Sequence, residues 1–191
     1  MLRQHFGFSY QRLVATAHLV NTNRSLVLRL RFARMMLPML ASGKRVINVD
    51  ESSIPFLDFR RRCWAKRGVK NTMCVKDLTQ KVNMIAAIDT EGRSYVALTQ
   101  INTDSEVMVC FLVKLCSLLT QEDKNWRQNT VIMLDGAKYH RSIETRSALQ
   151  KLGVSFVITS PYSYDAAPVE RFFSYFKRTQ LNPEHLPTGK T

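Results

Sequence analysis

The chain has 191 residues, of which 45% are hydrophobic, and a net charge of +13 from 28 Lys and Arg against 15 Asp and Glu. This composition predicts one globular domain and excludes wholesale disorder, and the positive charge favours a polyanionic partner such as nucleic acid. The four cysteines form no CxxC pair, and the sequence contains neither an 18-residue apolar stretch nor a signal-peptide pattern. We therefore expect a soluble, intracellular protein with reduced thiols, without a zinc site, a disulfide framework or a membrane partner.

The first part of the chain predicts one helix and one strand. Residues 1–22 carry scattered aromatic and arginine side chains without a clear period. The apolar positions of 23–41 suit a helix whose last turn is bent by Pro38. The apolar run 46–49 then predicts a short buried strand that carries Asp50 at its C-terminal tip.

A basic stretch, 58–81, follows this strand and contains Trp64. The stretch is either a solvated loop or a functional one, and a loop of this length inside a compact domain more often has a function. Trp64 either stacks on a base or packs against a partner protein, and we include it among the residues predicted to contact DNA. The others in this stretch are Arg60, Arg61, Arg62, Lys66 and Arg67.

The second half of the chain alternates strands and helices. Its apolar periods and turn residues predict strands at 82–88, 93–99, 130–134 and 154–159 and helices at 104–120, 141–152 and 169–179. Asp135 directly follows the strand 130–134, and Glu170 lies in the first turn of the last helix. The apolar stripe of that helix, Val169, Phe172, Phe173 and Phe176, is predicted to face the core.

Three carboxylates, Asp50, Asp135 and Glu170, together indicate a chemistry that none of them indicates alone. An Asp at a strand end is usually a turn residue. Three acids that converge from two strand ends and a helix, however, can hold two divalent metals about 4 Å apart, an arrangement that cleaves and joins phosphodiesters. Mg²⁺ prefers such hard oxygen ligands. The sequence therefore predicts Asp50, Asp135 and Glu170 as catalytic metal ligands, with two Mg²⁺ or Mn²⁺ ions as cofactors.

Several neighbours of these acids have more than one interpretation. Alternation along the strand turns Glu51 to the opposite face if the strand continues, so we favour a supporting role over a fourth metal ligand. His140 is either a neutral histidine satisfied by the backbone or a contact to a substrate phosphate or an outer water. Cationic side chains nearby suit phosphate contacts better than catalysis. The residues predicted to contact DNA around the acids are Lys138, His140, Arg141, Arg171 and Lys177.

Four segments carry a family resemblance. They are VINVDES at 46–52, CWAKRG at 63–68, LDGAKYH at 134–140 and PYSYDAAPVE at 161–170. In this order, and with 34 residues (136–169) between the second and third acids, they resemble the signatures of mariner-type DDE transposases, a superfamily that includes bacterial insertion-sequence relatives and ciliate transposons. The resemblance covers about residues 40–180. This chain departs from the pattern at Gly136 and Ala167, where the family often has Asn, and at Tyr164, where it often has Pro.

The resemblance implies an α/β, RNase H-like fold, a mixed five-stranded sheet flanked by helices in which the first and fourth strands are neighbours. It implies a transposase catalytic domain that performs metal-dependent DNA cleavage and strand transfer. Asp50 would then bridge both metals, while Asp135 and Glu170 would each bind one. The stretch 58–81 resembles a clamp loop that reaches a partner subunit near its DNA, so we expect a homodimer on double-stranded DNA, both transposon ends and target.

We divide the chain into an N-terminal linker and helix (1–42), a catalytic domain (43–180) and a C-terminal tail (181–191). Only 49 residues precede Asp50, too few for the two helix-turn-helix modules that such transposases usually carry, so we expect end recognition to be missing or supplied by a separate chain. Two alternatives stay open: an RNase H-fold nuclease without strand transfer, and a catalytically inactive or domesticated fragment that binds DNA. We expect a nuclear protein if the host is eukaryotic, which we favour, and otherwise a cytoplasmic one with the nucleoid.

Overall fold

The centre of the fold is a five-stranded mixed sheet, seen in a computed structural model that describes residues 19–55 and 81–179. Its strands are β1 (Arg45–Pro55), β2 (Lys81–Asp89), β3 (Ser94–Thr99), β4 (Thr130–Leu134) and β5 (Ser155–Ile158). They lie in the order β3-β2-β1-β4-β5, with β1, β2 and β3 antiparallel and with β4 and β5 parallel to β1. The predicted sheet, with its first and fourth strands as neighbours, is confirmed.

The helices are α1 (Asn23–Ala41), α2 (Ser105–Glu122), α3 (Trp126–Asn129), α4 (Ile143–Lys151) and α5 (Pro168–Thr179), and a 3₁₀ turn covers Tyr164–Ala166. Side chains of Thr22, Asp104 and Ser142 accept hydrogen bonds from the backbone N–H three residues later, which satisfies donors that have no partner inside the helix. The four predicted helices are present, and α3 was not predicted. None of the described helices is long and apolar enough to cross a membrane.

Helices α2 and α4 cover one face of the sheet. The side chains that meet there are fully or nearly fully buried, and each contributes about 1.5–3 kcal/mol to stability by leaving water. They include Ile47, Val49, Ile85, Ile132 and Leu134 from the strands and Met108, Leu112, Leu115 and Leu149 from the helices.

Helices α1 and α5 cover the other face. Met36 of α1 packs against Val46, Val131, Met133 and Val157. Val169 and Phe173 of α5 pack against Met84 and Ala86, with Phe172 and Phe176 partly buried beside them, so the predicted stripe on the last helix does face the core. Because α1 shares a core with the sheet, the domain boundary predicted at residue 42 falls between elements that pack together.

The first strand is longer than predicted. Its parallel pairing with β4 ends at Val49 and Leu134, but its antiparallel pairing with β2 continues to Pro55. The polar residues after Asp50 obscured this continuation in the sequence, although pairing with β2 accommodates them: Ser53 Oγ donates to Asn83 Oδ1 at 2.7 Å. Asp50 therefore lies inside β1, at the point where β4 ends beside it, and not at the tip of a strand.

Candidate active site

The three predicted acids line one cavity of about 830 Å³. The cavity lies between α1, the ends of β4 and β5 and the start of α5, on the sheet face that carries Asp50. Asp135 reaches it from the loop after β4, and Glu170 reaches it from the first turn of α5. The structure thus brings Asp50, Asp135 and Glu170 together from three distant parts of the chain, while their role as metal ligands stays a prediction.

Burial and like charges dominate the state of Asp50. Burial raises its pKa most, the negative charges of Glu51, Asp135 and Glu170 raise it further, and a hydrogen bond from the Glu51 N–H only partly offsets them, so that the pKa of Asp50 reaches about 7. Within residues 19–55 and 81–179, neither Asp50 nor Glu170 has an ion-pair partner. This end of the sheet therefore carries negative charge that the described part of the chain does not neutralise.

The pKa of Asp135 is shifted in the opposite direction, below its usual range. Burial alone would raise its pKa, but the hydrogen bonds from His140 and from the Ala137 N–H, together with the charges of His140 and Arg141, hold the pKa of Asp135 below its usual range. Its Oδ1 accepts from the Ala137 N–H at 2.9 Å and also contacts His140 Nδ1. One cavity thus holds two carboxyl groups whose pKa values are pushed in opposite directions, a pattern common at functional sites.

His140 is completely buried, with 0% of its surface exposed. Its Nδ1 contacts Asp135, and its Nε2 lies 3.7 Å from Glu51 Oε2 on the opposite face of the sheet from Asp50. Neither Nε2 nor Glu51 Oε2 has a hydrogen-bond partner among the described residues. A completely buried ring is not placed to contact DNA as predicted, and the Nδ1 of His140 contacts a carboxylate instead of the backbone. Sequence could not show this, because the packing of the loop 135–142 decides it.

The donor chemistry of the cavity fits a hard divalent cation. Carboxylate oxygens are the ligands that Mg²⁺ prefers, and burial together with the neighbouring acids makes the ionised form of Asp50 unfavourable without a cation beside it. In the arrangement seen, no three His, Cys, Asp or Glu side chains of the described residues surround a common point closely enough to hold a metal ion. Glu170 lines the cavity from the first turn of α5 and is exposed there.

Cationic side chains border the acids. Arg24, Arg31 and Arg141 line the cavity, and all three are exposed. Arg24 and Arg31 were not predicted, although their seven-residue spacing places them on one face of α1. Lys138 and Arg171 are exposed, whereas Lys177 is half-buried and donates to Ser52 Oγ at 2.6 Å. The predicted DNA contacts between 58 and 81, with the clamp-like stretch that contains them, lie outside the described residues, as do residues 1–18 and 180–191.

Two further residues of the cavity were missed. Tyr162 has a φ of 60°, the one positive φ outside glycine in the described part of the chain. Such backbone conformations are unfavourable and concentrate at functional sites. Asn48 lines the same cavity although it is only 3% exposed. The sequence contained a feature that could have identified Asn48, because it is the one polar residue in the apolar run 46–49.

The comparisons with known proteins point to one family. The model of the family described as DDE superfamily endonuclease matches residues 45–191. A pre-cleavage Mos1 transpososome is similar with a TM-score of 0.71 and 17% identity, covering 93% of this chain and 55% of that one. The mariner Mos1 paired end complex with Mg gives a TM-score of 0.71 and 18% identity over 93% of this chain and 54% of that one. The catalytic domain of Mos1 mariner transposase gives a TM-score of 0.65 and 16% identity, covering 88% of this chain and 76% of that one.

The chain spans just over half the length of the first two of these structures. Sequence comparison with curated proteins finds no match. At such low identity the structural likeness establishes the fold, and it confirms the predicted RNase H-like, five-stranded architecture.

Proposed function

Because the chain belongs to the DDE superfamily of endonucleases, we propose that it is the catalytic domain of a mariner-like transposase that cleaves DNA at transposon ends and joins the ends to target DNA. One observation carries the proposal: Asp50, Asp135 and Glu170 come from three distant segments to line one cavity. The electrostatics support it, since burial and mutual repulsion raise the pKa of Asp50 to about 7. A cluster of uncompensated carboxylates suits divalent cations and phosphodiester chemistry.

We propose two Mg²⁺ or Mn²⁺ ions as the cofactors. When bound, such ions activate a water or a DNA 3′-hydroxyl and stabilise the leaving oxygen. By the family resemblance, Asp50 is the residue proposed to bind both ions, and Asp135 and Glu170 would each bind one. The contacts of Asp135 with His140 and the Ala137 N–H hold that carboxylate ionised and oriented.

The proposed substrate is double-stranded DNA held by its phosphates. Arg24, Arg31 and Arg141 border the cavity, and Lys138 and Arg171 lie exposed near the acids in the chain. Phosphate contacts position a duplex without reading its sequence. Each contact releases counterions, so log K should fall with log salt by about 0.9 per phosphate, and roughly six contacts weaken binding by about three orders of magnitude between 50 and 200 mM salt.

The proposal includes a homodimer in which the basic stretch 58–81 reaches the partner subunit or its DNA, and a nuclear location in a eukaryotic host. Deletion of residues 60–75 tests the first part. The deletion should leave a folded domain that binds DNA less cooperatively, whereas normal paired-end complexes by native gel electrophoresis would contradict it.

The activity itself is tested with supercoiled plasmid and with a pre-nicked duplex bearing the inverted-repeat end of the element. The protein should nick the plasmid and join the end to target DNA in Mg²⁺ or Mn²⁺, but not in EDTA. The Asp50→Asn variant should do neither. Asp104→Asn is the matched control, because Asp104 caps α2 away from the cavity and Asn caps equally well.

The same experiment separates the alternatives. Nicking without joining would indicate a nuclease of the same fold. DNA binding without metal-dependent nicking would indicate an inactive DNA-binding fragment, and the proposal would be wrong.

A further inference from the structure

We propose that Asn48 is a positioning residue that ties together the three chain segments carrying Asp50, Asp135 and Glu170. The inference rests on the proposed function, since it assigns Asn48 a role in the metal site formed by these acids. Asn48 itself is not a metal ligand in this proposal: it acts through the backbone of its neighbours.

The hydrogen bonds of Asn48 reach each of the other two segments. Its Oδ1 accepts from the Val169 N–H at 3.1 Å, and its Nδ2 donates to the Met133 carbonyl oxygen at 3.4 Å. Val169 directly precedes Glu170, and Met133 lies two residues before Asp135. Asn48 lies two residues before Asp50 in β1, and therefore on the same face of the sheet. One buried amide thus joins β1, β4 and α5 within two residues of every acid.

The bond to Val169 also supplies what the start of α5 lacks. The first N–H groups of a helix have no partner inside the helix, and a polar side chain just before the helix usually accepts from one of them. That position is occupied by Ala167, which has no side-chain acceptor, and Pro168 has no N–H to satisfy. Asn48 therefore provides a side-chain acceptor from the sheet, and this contact fixes the first turn of α5, with Glu170, against β1.

A neutral amide suits this position for an electrostatic reason. Asn48 is buried beside a carboxyl group, Asp50, whose pKa burial and neighbouring acids already raise. A carboxylate here would add repulsion, and an apolar side chain would leave the buried Val169 N–H without a side-chain acceptor.

Asn83 offers a matched comparison in the same sheet. It is also 3% exposed, and its side chain also makes two hydrogen bonds, from Ser53 Oγ and to the Ile101 carbonyl oxygen, both 2.7 Å. These partners carry none of the three acids. Loss of either asparagine should therefore destabilise the fold, but only the loss of Asn48 should disturb the metal site.

The test compares Asn48→Leu with Asn83→Leu, using Mn²⁺ alone as the probe. The Mn²⁺ concentration for half-maximal thermal stabilisation, without DNA, is measured beside the concentration for half-maximal plasmid nicking. Both should rise about 10–100-fold in Asn48→Leu, the usual effect of losing a partner that orients a metal ligand. Both should match the wild-type protein in Asn83→Leu. Asn48→Ser and Asn83→Ser form a second pair that avoids overpacking if the leucine variants do not fold.

A merely structural role would lower the melting temperature of both variants equally and leave both half-saturating concentrations unchanged, and that result would overturn the positioning role. If the wild-type protein itself showed no response to Mn²⁺, the proposed metal site would be wrong, and the role of Asn48 with it. The two failures are distinguishable because the second appears before any variant is examined.

Discussion

Buried charge is neutralised by nearby residues at the start of strand β1 but not further along the strand, at Asp50. At its start, Arg45 is nearly buried and donates to Asp89 Oδ2 through Nε at 2.8 Å and through a terminal nitrogen at 2.5 Å, and it also reaches the Tyr95 hydroxyl at 2.8 Å. Asp89 Oδ1 accepts from the N–H groups of Glu91 and Arg93 at 2.9 and 2.7 Å. Every charge at this end has an opposite charge or a donor beside it.

Five residues further along the same strand, Asp50 shares a cavity with Asp135 and Glu170. No cation of the described residues forms an ion pair with Asp50, and its pKa rises to about 7. The comparison teaches that burial alone does not explain the acidic end, because the same strand neutralises its buried charge elsewhere. We infer that the Arg45 end serves stability, whereas the Asp50 end is left incomplete for a bound cation.

The largest expected effect comes from removing an acid at the incomplete end. Asp135→Asn or Glu170→Gln should lower metal-dependent nicking by roughly 10⁴-fold, the scale for loss of a member of a catalytic group. Glu170→Gln removes a repelling charge and should not destabilise the folded state, whereas Asp135→Asn also weakens the contact with His140 and should cost some unfolding free energy. Rates of plasmid nicking and urea unfolding curves measure the two quantities. Nicking near the wild-type rate in Asp135→Asn would exclude that residue from the site.

At the Arg45 end, a substitution should lower stability and leave metal-dependent nicking intact. Asp89→Asn leaves a buried arginine without its carboxylate, which should cost about 3–5 kcal/mol of unfolding free energy. The protein that stays folded should keep its metal dependence, because Asp89, the last residue of β2, lies beside the start of β1 and does not line the cavity. Urea denaturation compares this variant with Asp104→Asn, whose exposed cap is preserved. A loss below 1 kcal/mol would mean that the Arg45 network adds little to stability.

Unfolding free energies measured over a range of pH in EDTA test whether the charge of Asp50 destabilises the metal-free fold. The pKa of Asp50 is higher in the folded state than in the unfolded chain, so the folded state binds more protons and stability falls as pH rises from about 4 to about 7. Asp50→Asn removes this group and should raise the unfolding free energy at pH 8 by up to about 4 kcal/mol. The gain should vanish below about pH 3, where Asp50 is protonated in both states. A gain that is independent of pH would mean that the substitution acts through packing and not through charge.

The smallest expected effect concerns DNA binding beside the acids. Arg31→Ala should lower the slope of log K against log salt by about 0.9, the value for one phosphate contact. Arg34→Ala is the matched control, since Arg34 is exposed on the same helix but does not line the cavity. Fluorescence anisotropy with random duplexes measures both slopes. Equal slopes for the two variants would remove α1 from the proposed DNA-binding surface.

The sequence predicted the parts of this molecule that depend on local periods. Apolar spacing and capping residues located α1, α2, α4 and α5, and the apolar runs located the strands. The convergence of Asp50, Asp135 and Glu170 followed from the family resemblance and from the positions of these acids at element ends. It was predictable because strand pairing and one helix start place them.

The parts that were missed depend on what packs across the sheet. The extension of β1 to Pro55 requires β2 as a partner, and no local pattern in Ser52 and Ser53 shows it. His140 was counted among the predicted DNA contacts, but it is completely buried and contacts Asp135 and Glu51. The role of Asn48 depends on Val169, which lies 121 residues away in the chain. The sequence shows only that a polar residue interrupts an apolar run, and it does not show which distant residue that side chain bonds.

The central claim, that the acidic end of β1 is completed by a cation, is tested most directly by Mn²⁺-dependent thermal unfolding at pH 8. Ligand at 100 times its dissociation constant stabilises by about 2.7 kcal/mol, which should raise the melting temperature of the wild-type protein by roughly 5–10 °C. Asp104→Asn should show the same rise, and Asp50→Asn should show almost none. An equal rise in the wild-type protein and in Asp50→Asn, or no rise in either, would contradict the claim.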